Sequence, residues 1–162
     1  MAAVAVGMAA PQGGGGTLAA QAAAPCGLLM TAEIQPLAPK VTLPPGVATS
    51  LAGGVHACRY TWGEGARRVK LDVIVNDSAG MFAGAGADAI KQGLQSSVVA
   101  GTEDAVVADV GDAAVFKADS AVYVHATAYV KGRILQVLFD GFEAREEKGQ
   151  IIALLKTAAS RI

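Results

Sequence analysis

The chain has 162 residues, 52% of them hydrophobic, and a formal net charge of −1. This length and apolar content suffice for one sizeable core and predict a single folded domain. The near-neutral charge, with thirteen Lys and Arg spread without a dense run, disfavours nucleic acid as a partner, and no apolar run reaches the roughly 18 to 20 residues that cross a bilayer.

Residues 1–25 differ in composition from the rest of the chain. They contain no charged residue, include four consecutive glycines and end in an alanine-rich stretch, so they have little side-chain area to bury. Small residues at Ala20, Ala22 and Ala24 fit an Ala-x-Ala processing site, although the positive start of a signal peptide is missing. We therefore expect either a signal-like segment or a disordered Ala/Gly leader, with the first favoured, ahead of a domain over 26–162.

Cys26 and Cys58 are the only two cysteines. An even number of cysteines after a candidate export segment indicates a disulfide formed in an oxidising compartment. The alternative is a pair of buried thiols that never meet. A closed loop of this length would contribute about 3 to 4 kcal/mol in the loop-entropy account.

The first predicted elements are a short helix and an edge strand. Thr31 can cap a helix that Pro36 limits to one or two turns, with Glu33 in its first turn. Prolines and glycines then mark an irregular crossing segment, in which residues 40–43 are a candidate edge strand.

Residues 57–76 predict an antiparallel hairpin. In its first half Cys58, Tyr60 and Trp62 alternate with polar residues, and the second half places Val69, Leu71, Val73 and Val75 on one face. The glycine-containing segment between the halves supplies the turn.

The remainder predicts a helix, three strands and a final helix. The first helix runs from residue 77 or 78 to about 95, with a packing stripe of Phe82, Ala89, Ile90 and Leu94. Strands follow at 113–118, 121–130 and 133–139, and residues 143–162 have helical apolar spacing. The order αββαβββα predicts an α+β domain: one antiparallel sheet of about five strands with helices packed on one face.

One strand carries the candidate binding residues. In the run 121–130 the even positions form the core face and leave Tyr123, His125, Thr127 and Tyr129 opposite. An exposed row of two tyrosines and a histidine can bind a ligand or a partner. The alternative, an ordinary solvated strand face with cross-strand aromatic pairs, stays open.

No catalytic or metal-binding motif is found. The P-loop, His-Glu-x-x-His, Gly-x-Ser-x-Gly and Cys-x-x-Cys patterns are all missing, so no catalytic residue, metal or cofactor is predicted. A metal-dependent hydrolase would need both histidines, His56 and His125, together with a carboxylate such as Asp109 or Asp112 from the acidic interval 103–112.

Three short motifs carry a resemblance to known proteins. They are Cys26-Gly-Leu-Leu-Met-Thr-Ala-Glu-Ile, Cys58-Arg-Tyr-Thr-Trp and Val110-Gly-Asp-Ala-Ala-Val-Phe. This layout resembles small exported bacterial proteins of unknown function and is similar to secreted actinobacterial lipoprotein families of α+β architecture. The resemblance implies a Cys26–Cys58 bridge and export to the periplasm or medium, and it transfers no catalytic residue. Pro25 directly before Cys26 departs from the pattern of a lipid-accepting cysteine.

The sequence therefore predicts an exported, non-catalytic α+β domain of the bacterial cell envelope that binds an unidentified protein or small molecule. The alternatives are the metal-dependent hydrolase and a purely structural envelope protein. The sequence does not determine the oligomeric state.

Overall fold

The computed structural model describes residues 24–77 and 86–162. The elements in chain order are α1 (Thr31–Ile34), β1 (Val47–Leu51), β2 (Val55–Trp62), β3 (Val69–Asn76), α2 (Ala87–Ser96), β4 (Ala105–Val106), β5 (Ala113–Lys117), β6 (Tyr123–Val130), β7 (Arg133–Asp140) and α3 (Lys148–Ala159). Residues 1–23 of the predicted leader lie outside the described residues. Residues 78–85 also lie outside them, and these include Phe82 and most of the first part of the helix predicted from residue 77 or 78.

The described strands form one antiparallel sheet in the order β1-β2-β3-β7-β6-β5-β4. The α+β class and the antiparallel sheet are confirmed, but the expected count of about five strands is wrong because the sheet has seven. The two additional strands, β1 and the two-residue β4, lie at its edges. The segment 40–43, predicted as an edge strand, is irregular, and β1 begins only after Pro44 and Pro45, which have no N–H to donate to a sheet.

One face of the sheet carries the main core. The alternation predicted for the hairpin is confirmed, because Cys58, Tyr60, Leu71 and Val73 are at most 2% exposed. The helical spacing predicted for residues 143–162 is confirmed over Lys148–Ala159, and Ala144–Glu147 form a 3-10 helix before it. Helix α3 packs against this face through its apolar side chains, which are Ile151, Leu154, Leu155 and Ala158. Helix α3 contacts β6 and β7, and the apolar side chains of β3 belong to the same cluster, so the core lies between the sheet and α3.

Helix α2 packs on the opposite face of the sheet. Ile90 and Leu94 contact Tyr129 of β6 and Ile134 of β7, which alternate with the core-facing residues of their strands. The prediction that the helices pack on one face is therefore wrong. The predicted stripe is only partly correct as well, since Ala89 is exposed while Ile90 is buried.

A disulfide and hydrogen bonds fasten the segment before β1 to the core side. Cys26 and Cys58 form the expected disulfide, with a Cα–Cα distance of 4.9 Å. The Tyr60 hydroxyl donates a hydrogen bond to the Leu29 carbonyl at 2.7 Å. Arg161, just after α3, donates to the Leu28 carbonyl at 2.8 Å. Hydrogen bonds to the carbonyls of Leu28 and Leu29 thus hold the chain just after the Cys26–Cys58 disulfide in place.

Within residues 24–77 and 86–162, no helix has the length and apolar character that a membrane crossing requires.

Candidate functional site

The four candidate residues of β6 do not share one environment. Tyr123 and His125 are half-buried, whereas Thr127 is 4% and Tyr129 8% exposed. Tyr129 packs under Ile90 of α2, and the Thr127 hydroxyl accepts a hydrogen bond from the Gln136 side chain at 3.1 Å. The expectation of an exposed row is wrong at these two positions because α2 covers this end of the strand. Only Tyr123 and His125 remain accessible.

Strand register and the β5–β6 connection bring three aspartates beside these two side chains. Asp140 of β7 is the register partner of Tyr123, and Asp72 of β3 lies in the row of His125, with Leu138 between them. Asp119 reaches the same place from the β5–β6 connection, where its carboxylate lies 3.0 Å from Nδ1 of His125. We call Asp72, Asp119, Tyr123, His125 and Asp140 the binding face.

The two rings of the binding face contact each other. The centroids of Tyr123 and His125 are 6.2 Å apart with an edge-on orientation of 66°. His125 also contacts Asp119, so its imidazole has both a carboxylate and an aromatic ring as neighbours.

Arg59 and Lys70 border the binding face and partly balance its charge, whereas Lys117, the register partner of His125, is paired with Asp104 at 2.9 Å. Arg59 of β2 holds both oxygens of Asp72, at 2.7 and 2.8 Å, in the fork geometry that arginine favours for carboxylates. Lys70 lies 3.4 Å from Asp140, and both side chains are more than 40% exposed, so this pair is weak. Three carboxylates beside two cations leave the region acidic when the imidazole is neutral.

The acidic surroundings affect the pKa of Tyr123. Burial raises the pKa of the phenol above its ordinary value, and the negative charges of Asp119, Asp140 and Asp72 raise it further. The phenol is therefore protonated at neutral pH and able to donate a hydrogen bond. A cationic group placed over the ring would be attracted both by the carboxylates and by the π face.

The structure does not bring the two histidines together. His56 lies on the core side of β2, near the sheet edge, where its ring contacts the Ser50 hydroxyl at 3.1 Å. His125 lies on the other face of β6, three strands away, which corresponds to about 14 Å at the usual strand spacing. Among the residues that the structure describes, no group of three His, Cys, Asp or Glu side chains is arranged to hold a metal ion.

The acidic interval 103–112 serves other contacts. Asp104 accepts hydrogen bonds from the backbone N–H groups of Val99 and Ala118 and contacts the Lys117 ammonium at 2.9 Å. Glu103 lies 3.7 Å from Arg145. These contacts fasten the connection between α2 and β5 to the sheet, so the structure gives Asp104 a role in stability.

Sequence reasoning missed the three aspartates of the binding face. Asp72 was visible as a polar residue of the hairpin, but its proximity to His125 depends on β3 pairing with β7 and on β7 pairing with β6. Neither pairing follows from local alternation. The one available signal was the position of Asp119 next to the start of the strand that carries Tyr123.

Two surface depressions of about 400 and 450 Å³ are lined in part by Arg145 and Lys40, respectively, and neither includes Tyr123 or His125.

No protein-family model, curated protein or solved structure matches this chain. The assignment of function consequently depends on the geometry of the binding face.

Proposed function

We propose that this protein is a non-catalytic, exported binding domain whose binding face takes a cationic group of a partner protein or small molecule. One observation carries the proposal: β3, β7 and the β5–β6 connection direct Asp72, Asp140 and Asp119, respectively, to the half-buried Tyr123 of β6. Carboxylates beside an aromatic ring attract ammonium and guanidinium groups through charge and through the π face.

Location in the cell envelope is supported by the disulfide. Such bridges persist in oxidising compartments and are rare in the reducing cytosol. The resemblance of three short motifs to those of small exported bacterial proteins is in line with the same location, as is the Ala-x-Ala pattern before Cys26.

The experiment that tests the proposal is an NMR titration of the ¹⁵N-labelled protein with tri-arginine amide, with tri-glutamate as the anionic control. At low salt we expect shifts centred on the amides of Tyr123, His125 and Asp140, with a dissociation constant on the order of 1 mM for so small a probe. Raising the salt to about 0.3 M should weaken binding, because screening reduces the attraction of exposed charges.

Matched variants separate the binding face from general charge. D140N should raise the dissociation constant about threefold to tenfold, and Y123S should do the same by removing the ring. D88N makes the same charge change on α2, where the Asp88 side chain is fully exposed, and should leave binding unchanged. Equal effects of D88N and D140N, or shifts spread evenly over the surface, would contradict the proposal.

A further inference from the structure

Strand β1 forms a free edge of the sheet. It pairs with β2 on one side, and within the described residues no strand pairs with its other side. All five of its residues are exposed. Alternate residues of an edge strand direct their N–H and C=O groups away from the sheet, where they can pair with another strand.

This edge has none of the usual protection against pairing. The strand Val47–Leu51 contains no charged residue and no proline, whereas exposed edges are commonly blocked by lysine, proline or a bulge. The opposite edge of the sheet, β4, has only two residues and offers little to a partner. The two edges therefore differ in their capacity to accept a strand.

The sequence of β1 is complementary to itself. Val47, Thr49 and Leu51 lie on one face of the strand, with Ala48 and Ser50 on the other. An antiparallel pair of two such strands, centred on Thr49, would place Val47 opposite Leu51 of the second copy and Thr49 opposite Thr49. Aliphatic pairs and Thr–Thr pairs are favourable cross-strand neighbours, and no like charges would face each other.

We infer that β1 is a homodimerisation strand, which pairs antiparallel with β1 of a second copy about Thr49 and extends the sheet across both protomers. With a two-fold axis through Thr49, the same edge of both copies forms the interface, as an isologous dimer requires. One contact then pairs the outward N–H and C=O groups of both strands. The chain's own residues 1–23 are a poorer occupant of this edge. They are rich in alanine and glycine, which are depleted in strands, and include few β-branched residues.

The contact supplies both polar and apolar interactions. Pairing over five residues forms about four to six main-chain hydrogen bonds. It also brings together the side chains of Val47 and Leu51, which are 63% and 64% exposed in one copy. The area is smaller than that of a standard interface, so we expect a weak dimer with a dissociation constant on the order of 10 µM.

The test is sedimentation equilibrium of the full chain between about 1 µM and 1 mM, with charge swaps at the two-fold axis. T49K alone and T49E alone each place like charges opposite each other and should raise the dissociation constant about tenfold or more. An equimolar mixture of T49K and T49E places Lys opposite Glu and should restore dimerisation. Thr49 is exposed, so both variants should keep the thermal stability of the parent protein.

V106K provides the matched control. It adds the same charge to an exposed residue of β4, at the other edge of the sheet, and should leave dimerisation unchanged. The inference is overturned if the parent protein is monomeric throughout the concentration range, if T49K dimerises as the parent does, or if V106K weakens the dimer as much as T49K.

Discussion

Arg161 forms a two-pronged ion pair with Glu33, at 2.7 and 2.6 Å, although 128 positions separate them in the chain. The arginine follows α3 and the glutamate lies in α1, so the pair joins the two ends of the folded region. Its hydrogen bonds lower the pKa of the Glu33 carboxyl, against the opposing effect of partial burial. The same guanidinium donates to the Leu28 carbonyl, which fixes the segment next to the disulfide.

R161Q should loosen this segment. Loss of the charge and of the fork leaves Glu33 without its arginine partner, so we expect amide hydrogen exchange over residues 28–34 to accelerate about threefold to tenfold, with little change in β6 and β7. R161K should give an intermediate result, because lysine keeps the charge but cannot reproduce the planar fork. R67Q, at an exposed arginine before β3, is the control. Equal acceleration in R67Q would contradict the prediction.

G46A should destabilise the protein. A Cβ at Gly46 would collide with Sγ of Cys58 and would lie 2.7 Å from the Tyr60 ring, both of which are buried in the core. Overpacking of this kind costs about 1 to 3 kcal/mol. G27A is the matched control, since a Cβ there meets nothing within 4 Å. Urea denaturation of the two variants measures the difference, and an equal loss in both would show that the site can relax.

Y129S should cost much more stability than Y123S. Tyr129 is 8% exposed and packs with Ile90 and Ile134, so its truncation leaves a cavity beneath α2. We expect the free energy of unfolding to fall by about 3 kcal/mol. Tyr123 is half-buried at the accessible end of β6, and its truncation should cost less than about 1.5 kcal/mol. Thermal unfolding checks both. A loss in Y123S as large as that in Y129S would assign the first ring to the core and weaken its role in binding.

Asp104 should make stability depend on pH in the acid range. Burial alone would raise its pKa, but hydrogen bonds from the Ala118 N–H, the Lys117 ammonium and the Val99 N–H outweigh that effect and hold the pKa at about 2, below the ordinary 3.8. Since the folded-state pKa is the lower one, the stabilisation is complete above about pH 4 and is lost as the pH falls towards 2.

D104N removes this titration. At pH 7 it should lower the free energy of unfolding by roughly 1 to 3 kcal/mol, because the amide accepts from N–H donors less strongly than a carboxylate does. Between pH 4 and pH 2 its stability should fall less steeply than that of the parent protein, in which Asp104 becomes protonated. Denaturation curves at several pH values measure both slopes, and parallel slopes would show that Asp104 does not titrate in this range.

Local sequence patterns correctly predicted the strands and the helix whose apolar side chains form the main core. The alternation of Leu71, Val73 and Val75 and the helical spacing of Ile151 and Leu155 describe contacts with the core side. The predicted strands 121–130 and 133–139 leave Lys131 and Gly132 between them as an exposed turn. In that turn both residues have positive φ, as a two-residue hairpin turn requires. Strand β1 carries no such signal, because every residue in it is exposed.

The candidate site was predictable only in part. The period of two in β6 correctly separated Tyr123 and His125 from the core face, since it depends on the strand alone. The cover over Thr127 and Tyr129 depends on where α2 packs, and Asp72 and Asp140 depend on pairings between distant strands. Such long-range relations are absent from any short stretch of sequence.

The strand order has a consequence for the kinetics of folding. The block β1–β3 and the block β4–β6 meet only through β7, which pairs with β3 on one side and β6 on the other. The two blocks can therefore join only when the chain as far as Asp140 is available. Topologies dominated by such distant contacts fold slowly, typically in milliseconds to seconds. Before β7 pairs, β3 and β6 each present an unpaired border, and such borders make incompletely folded chains prone to aggregation.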